Sequence, residues 1–242
     1  MLTNVAYLVL HFEGPFQAWG YASQFNRRNT GMFPTKSAVL GMICAAMGIP
    51  RGSERERHML DQLRLLQLLT VAIPRVQYQG MDFEATLPVR RLTDYHTVQN
   101  TLTAEGEPKD THLTWRQYLC DASFIAVLSG DRSLLTDVGA ALRNPVWGVW
   151  FGRKTCIPTT PVLRWKLDAE AERDADFLYD SEEDGLRTAL GGNPLSAFTY
   201  QREVARFEDG TDTFMDQPLC FGGVSASRSF APRRIKLVEG KA

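Results

Sequence analysis

A chain of 242 residues with 44% hydrophobic content and a formal net charge of −1 can bury a sizeable core, and it has no run of about 18 apolar residues that would span a bilayer. The near-neutral total hides a segregation: Asp168 to Asp184 holds nine acids and one base, Arg173, which leaves 26 bases and 19 acids, a net of +7, for the rest. Cys44, Cys120, Cys156 and Cys220 are scattered, with no C-x-x-C spacing, and the N-terminus lacks a basic signal-peptide region, so we expect reduced core cysteines, no zinc site and a cytoplasmic location.

Val5 to Leu10 is a continuous apolar run that predicts a strand buried on both faces. A helix should follow Pro34 and Thr35, with Val39, Leu40, Ile43, Cys44 and Met47 inward and Gly48 and Pro50 at its end. Ser53 and Glu56 form a capping box for a second helix, whose apolar spacing continues through Met59, Leu60, Leu63, Leu66 and Leu69. Thr70 to Val76 returns to strand composition. Ala85 to Gln117 reads as a projecting hairpin, two extended arms broken by the polar, mobile stretch "TAEGEPKD". Ser123 to Leu128 is another buried strand, and "SGD" leads into a third helix with Leu134, Leu135, Val138 and Leu142 inward, stopped at Asn144 and Pro145. Strand, helix, strands, strand, helix, strand is the order of a ferredoxin-like α+β sandwich. From about Arg164 the acidic stretch, expected as a solvated surface, is followed by segments that suggest short strands in a smaller C-terminal part.

Four constellations in this chain could meet a nucleic-acid strand. "TGMFPTKSAVLGM" resembles a nucleotide P-loop but places Thr35 where the second glycine must be, so the nucleotide reading fails at its most demanding residue, a nucleotide-dependent enzyme stands only as a third and weaker reading, and a more general phosphate site remains. There Thr35, Lys36 and Ser37 at the helix start, with Arg27 and Arg28 just upstream, would surround a phosphate with free N–H groups, hydroxyls and cations; a plainly capped helix fits the same spacing. In "GPFQAWGYAS", Trp19 with Phe16 and Tyr21 could stack bases or pack in the core. The hairpin contributes Arg90, Arg91, Tyr95, His96 and Arg116, a mixture of cations and rings suited to single-stranded nucleic acid. Arg153 and Lys154 follow a glycine turn in "WFGRKTC". The aromatic sheet motif of RNA-recognition domains, K/R-G-F/Y-G/A-F-V-x-F/Y, is absent, so RNA would have to bind through loops and the hairpin.

"GPFQAWG" at 14–20, "FPTKSAVLGMICAAMGIPR" at 33–51, "LTDYHTV" at 92–98, "TWRQYLCDASF" at 114–124 and "GRKTCIP" at 152–158 together resemble the CasD family, the Cas-five type of subunit in the subtype I-E CRISPR complex Cascade. The match covers roughly 1–165 and loosens beyond it. The resemblance implies a modified RNA-recognition-motif core over 1–165 with a thumb hairpin at about 85–117, and a C-terminal part over 166–242. It further implies a non-catalytic RNA-binding subunit without cofactor. Such a subunit grips the 5′ handle of the CRISPR RNA, caps one end of the complex, touches a CasC-type backbone subunit and a CasA-type large subunit, and meets target DNA through the assembled complex in antiviral defence. Relatives in subtype I-C are metal-independent nucleases that process repeat RNA. For that alternative His96 with Tyr95, or His112, and one of Arg90, Arg91 or Arg116 could supply acid, base and cation.

Overall fold

The computed structural model describes residues 4–78, 84–87, 89–99, 101–103, 106–109, 111–163, 177–222 and 227–240. The first half of the chain forms β1 (Val5–Gln17), β2 (Arg27–Arg28), α1 (Lys36–Ala46), α2 (Glu54–Leu63), β3 (Gln67–Ile73), β4 (Arg75–Tyr78), β5 (Glu84–Leu87), β6 (Arg90–Val98) and β7 (Thr101–Leu102). The second half forms β8 (Pro108–Lys109), β9 (His112–Asp131), α3 (Arg132–Arg143), β10 (Leu178–Tyr179), α4 (Glu182–Ala189), β11 (Tyr200–Glu203), β12 (Asp212–Cys220) and β13 (Ser229–Val238). The result is an α+β fold around one large, mostly antiparallel sheet in the order β10-β1-β9-β3-β11-β13-β12, with β2 and β6 pairing to β9 beside that path.

The apolar run of β1 is buried on both faces, as its composition predicts. Leu8, Leu10 and Phe12 pack with Val39, Leu40 and Ile43 of α1, Leu60 and Leu63 of α2, and Leu135 and Val138 of α3. Val9, on the opposite face, joins Leu69, Val71, Ile125 and Val127 under Tyr179, Leu186 and Leu190. This second layer depends on α4, which the sequence pattern did not announce. Glu182, Glu183 and Asp184 lie in the first turn of α4, where acids complement the helix dipole, and the Ser181 hydroxyl accepts from the Asp184 N–H. That end of the acidic stretch is therefore a helix start; 168–176 lies outside the described residues.

Two other expectations are corrected. The second helix stops at Leu63, where the Leu65 and Leu66 N–H groups turn back to Gln62 and Leu63 in tight i→i+3 bonds, and Leu69 belongs to β3. The apolar spacing continued past the helix because Leu66, Leu68 and Leu69 are buried beyond its end as well. The C-terminal strands also form no separate unit: β11 pairs with β3 and carries β13 and β12 outward in the same sheet, so the expected boundary at 165/166 separates no two cores.

β9 organises the candidate site. Its 20 residues extend about 66 Å at the usual strand rise, far more than its core neighbours need. Leu119 to Asp131 pairs with β1, while His112 to Cys120 pairs with β6 (Arg90–Val98) as a hairpin off the main strand order. The hairpin arm thus starts at Arg90; Glu84–Leu87, expected within it, pairs instead with Arg75–Tyr78 in a separate ribbon. Near the tip β7 and β8 pair as a short ribbon, while positions 104, 105 and 110 of the expected polar break lie outside the described residues. Asp121 marks the handover, at φ +50, and its carboxylate receives Arg75 at 3.3 Å and Arg90 at 2.9 Å. Two guanidiniums from flanking strands therefore fix the backbone where the hairpin departs.

Candidate nucleic-acid interface

The start of α1, expected to meet a phosphate, is already occupied by protein carboxylates. Lys36 is fully buried; its Nζ donates to Glu203 Oε1 and Oε2 at 2.9 and 3.0 Å, to the Arg64 carbonyl at 2.9 Å and to Gln217 Oε1 at 3.3 Å. Its own N–H donates to Asp216 Oδ2 at 2.8 Å, so a residue 180 positions away caps the helix, and Thr35 makes no side-chain cap. Arg233 holds Asp216 through two bonds at 2.8 and 2.7 Å. Burial pushes the Lys36 amine below its ordinary value and the adjoining Glu203 carboxylate opposes that shift. Thr35 is buried as well, and the Ser37 hydroxyl turns to Thr35 Oγ1. The phosphate site expected at Thr35, Lys36 and Ser37 is thereby corrected: the cation and the helix dipole are neutralised from β11 and β12.

Trp19 is corrected for a related reason. Its ring is fully buried between Phe12 and Phe151, and its Nε1 donates to Gln17 Oε1 at 3.0 Å, so no base can reach it. Gly152 makes that packing possible, because a Cβ there would lie 1.8 Å from the Ala18 carbonyl oxygen. The turn delivers Arg153 to a buckling position: Nη1 donates to the Gln117 carbonyl and Nη2 to the Arg28 carbonyl, both at 2.9 Å, with the guanidinium over the Tyr118 ring at 4.5 Å. Lys154 is exposed and sits over Trp150 instead.

The remaining cations converge on a ribbon that no local signal announced. β2 pairs in parallel with β9, placing Arg27 beside Trp115 and Arg28 beside Arg116, and β6 adds Tyr95 beside Trp115 and Asp94 beside Arg116. Directly paired residues share a face of a sheet, so Arg27, Trp115 and Tyr95 form one row and Arg28, Arg116 and Asp94 the other. The first row touches: Arg27 lies over the Trp115 ring at 5.7 Å, and Tyr95 meets that ring edge-on with centroids 6.0 Å apart. On the second face, His96 Nε2 lies 2.5 Å from Asp94 Oδ2 and 3.5 Å from the Tyr118 hydroxyl, and Arg116 Nε donates to Thr114 Oγ1. Arg91 shares the face of Tyr95 and reaches Met32 Sδ at 2.9 Å, whereas Arg90 is taken up by Asp121. Among the described residues no carboxylate pairs with Arg27, Arg28, Arg91 or Arg116. Trp115 has no local pattern that singles it out as a site residue beyond its place next to Arg116 in "TWRQY".

A cleft of about 460 Å³ opens beside this row, lined by Tyr21, Asn29, Met32, Arg91, Gln117 and Phe214 among others. Tyr21 and Phe214 meet edge to face across 5.4 Å. The Arg91 guanidinium, the exposed Tyr21 ring and amide groups around one concavity can hold a phosphodiester and stack or hydrogen-bond an unpaired base. No group of three or more His, Cys, Asp or Glu side chains among the described residues is placed to hold a metal ion.

The family model described as CRISPR-associated protein (Cas_Cas5) matches residues 7–236. The Escherichia coli (strain K12) protein "CRISPR system Cascade subunit CasD" is 29% identical over 245 residues, covering 97% of this chain and 96% of that protein. Among solved structures, a chain of a "CRISPR RNA-guided surveillance complex" superposes with a TM-score of 0.64 at 26% identity, over 96% of this chain and 89% of that one. A "Crystal structure of Cas protein" shares the fold with a TM-score of 0.59 at 23% identity, over 97% and 98% of the two chains. The family match takes in the α1 start, the β2–β9–β6 ribbon and the strands that bury Lys36, and the chain belongs to the CRISPR-associated Cas5 family.

Proposed function

We propose that this chain is the CRISPR RNA-binding subunit of a Cascade-type surveillance complex, where it holds the 5′ handle without cutting it. The observation that carries this reading is the β2–β9–β6 ribbon, where Arg27, Arg28 and Arg116 have no carboxylate partner among the described residues and alternate with Trp115 and Tyr95. Partnerless cations with interleaved rings are what a single strand requires. Membership of the family and the likeness to a Cascade subunit support the same assignment. The strand order β10-β1-β9-β3, with α1 and α2 between β1 and β3 and α3 after β9, supports a ferredoxin-like, RNA-recognition-motif-like core from which the β6–β9 hairpin projects as a thumb. In this reading the subunit caps one end of the complex, touches CasC-type and CasA-type neighbours, and contributes to target DNA binding only through the assembly.

The test is charge reversal of Arg27, Arg28 and Arg116 to glutamate in the full chain, with binding to its repeat RNA measured across salt concentrations. Affinity should fall for every RNA sequence alike, and the salt slope should drop by about 1 for each phosphate that no longer meets a cation. Unchanged affinity and slope would remove the ribbon from the interface. Cleavage is tested in the same preparations. RNA left intact without metal supports the scaffold role; cutting at the base of the repeat stem that His96→Ala abolishes would make the His96–Asp94 pair part of a processing nuclease.

A further inference from the structure

The turn that enters β2 carries a side chain that the fold itself does not use. Gln24 and Arg27 exchange backbone hydrogen bonds at 3.1 and 2.9 Å, which leaves Phe25 and Asn26 as a two-residue tip. Phe25 is 89% exposed, the most exposed large hydrophobic among the described residues, and its φ is +48. A bulky residue in that region is strained where glycine or asparagine would sit at ease. Ala22, at φ +47, repeats the strain at the other end of the same loop. Both residues persist because the loop is tied on all sides: the Trp115 N–H donates to the Asn26 carbonyl at 2.9 Å, the Asn29 N–H to Ser23 Oγ at 3.1 Å, and Asn29 Nδ2 to the Ala22 carbonyl at 3.2 Å. A large ring is thus presented to solvent on a rigid, strained support, and such strain clusters where ligands are held.

We infer that Phe25 is a base-stacking anchor: its ring takes an unpaired base of the bound RNA while Arg27 and Arg28 hold the flanking phosphates. The choice of a base over a partner protein rests on charge, since the residues immediately following the tip are two arginines without carboxylate partners among the described residues. A flat apolar ring amid unpaired cations complements a nucleotide, whose base has a π-face and whose phosphates are anionic. The rigid turn lowers the ordering cost of the contact, because the ring is already held in place. This assignment rests on the RNA-binding reading above and adds to it a residue that selects unpaired over stacked nucleotides.

Three variants of the full chain test it: Phe25→Asn, which suits the backbone and removes the ring, Phe25→Trp, which enlarges it, and the Arg27→Glu, Arg28→Glu pair as reference. The probe is synthetic repeat RNA carrying 2-aminopurine at each adenine in turn, with thermal unfolding as a check that each variant folds. Phe25→Asn should weaken binding roughly tenfold to a hundredfold while keeping the wild-type salt slope, because every phosphate keeps its cation. One 2-aminopurine position should be quenched on binding to wild type and to Phe25→Trp but not to Phe25→Asn. If wild type and Phe25→Asn bind alike while the arginine reversal abolishes binding, the stacking assignment falls and the RNA-binding reading stands. Normal RNA binding by Phe25→Asn with impaired assembly onto other subunits would also overturn it, making the ring a protein contact. No RNA binding by the wild type would remove both.

Discussion

Replacing Lys36 with methionine keeps an unbranched side chain one atom shorter and removes its charge, which leaves Glu203 facing a partner that no longer answers it. Lys36 is fully buried and the Glu203 side chain is 15% exposed, so the pair is close to the fully desolvated case, for which losing one partner costs about 3–5 kcal/mol. Two details pull in opposite directions. Glu203 keeps the Leu68 N–H at 3.2 Å, which softens the penalty, but the Arg64 carbonyl and Gln217 Oε1 are also left without their donor, at about 0.5–1.5 kcal/mol each. We expect a net destabilisation of about 3–4 kcal/mol in urea unfolding, and for a chain of this size a melting temperature lower by about 6–16 °C. The double variant Lys36→Met, Glu203→Met should recover much of that stability, because an apolar pair replaces a buried ion pair at little cost. RNA affinity at a temperature where both proteins are folded should be unchanged. A Lys36→Met protein destabilised by less than about 1 kcal/mol that also showed a flatter salt slope for RNA would refute this reasoning. It would return Lys36 to the phosphate.

Trp19→Ala should cost about 3–5 kcal/mol in unfolding experiments and leave the RNA salt slope of the folded protein intact, since the ring is core. Of the four cysteines only Cys120 should be alkylated rapidly in the folded protein near neutral pH: burial, with Glu56 nearby, pushes the Cys44 thiol up to about 12, burial raises Cys156, and Cys220 is buried. Labelling of Cys44 at the Cys120 rate, read by peptide mass mapping, would show that α1 opens. Excising 98–111 should change stability by no more than about 0.5 kcal/mol, because the pairing of β6 with β9 remains and none of the described residues removed belongs to either core cluster, yet assembly on CRISPR RNA should fail.

What could be read from the sequence was what local chemistry determines. Half of the capping box formed as spaced: Ser53 Oγ accepts from the Glu56 N–H, but the Ser53 N–H goes to the Pro50 carbonyl; Asp131 caps α3 at "SGD", where the sequence pattern starts that helix. Glu56 then does something no spacing could reveal: its carboxylate accepts from Gly52 N–H and from Phe221 N–H, 165 residues onward. The same separation hides the role of Lys36. Its partners Glu203 and Asp216, and the Arg233 that holds Asp216, stand on strands whose pairing depends on β3, and nothing near position 36 signals them. The short parallel pairing of β2 with β9 was equally invisible, since two residues carry no period.

These long-range contacts also decide which cations are free. Arginine and lysine look alike in a composition count, but the fold sorts them by what lies within reach. Lys36 and Arg233 are enclosed with carboxylates, Arg90 and Arg75 are spent on Asp121, and Arg153 is committed to two backbone carbonyls. At the first four a phosphate would have to displace a protein carboxylate, with no net gain in charge pairing, and at Arg153 it would break two backbone hydrogen bonds. Arg27, Arg28, Arg91 and Arg116 carry no such commitment to a carboxylate among the described residues, and they lie on or beside the strands that bear Trp115 and Tyr95. Binding an anion there gains charge pairing and displaces no carboxylate. The proposed interface therefore rests on elimination across the fold, and at the helix start that most resembled a phosphate site the protein has already supplied its own anions.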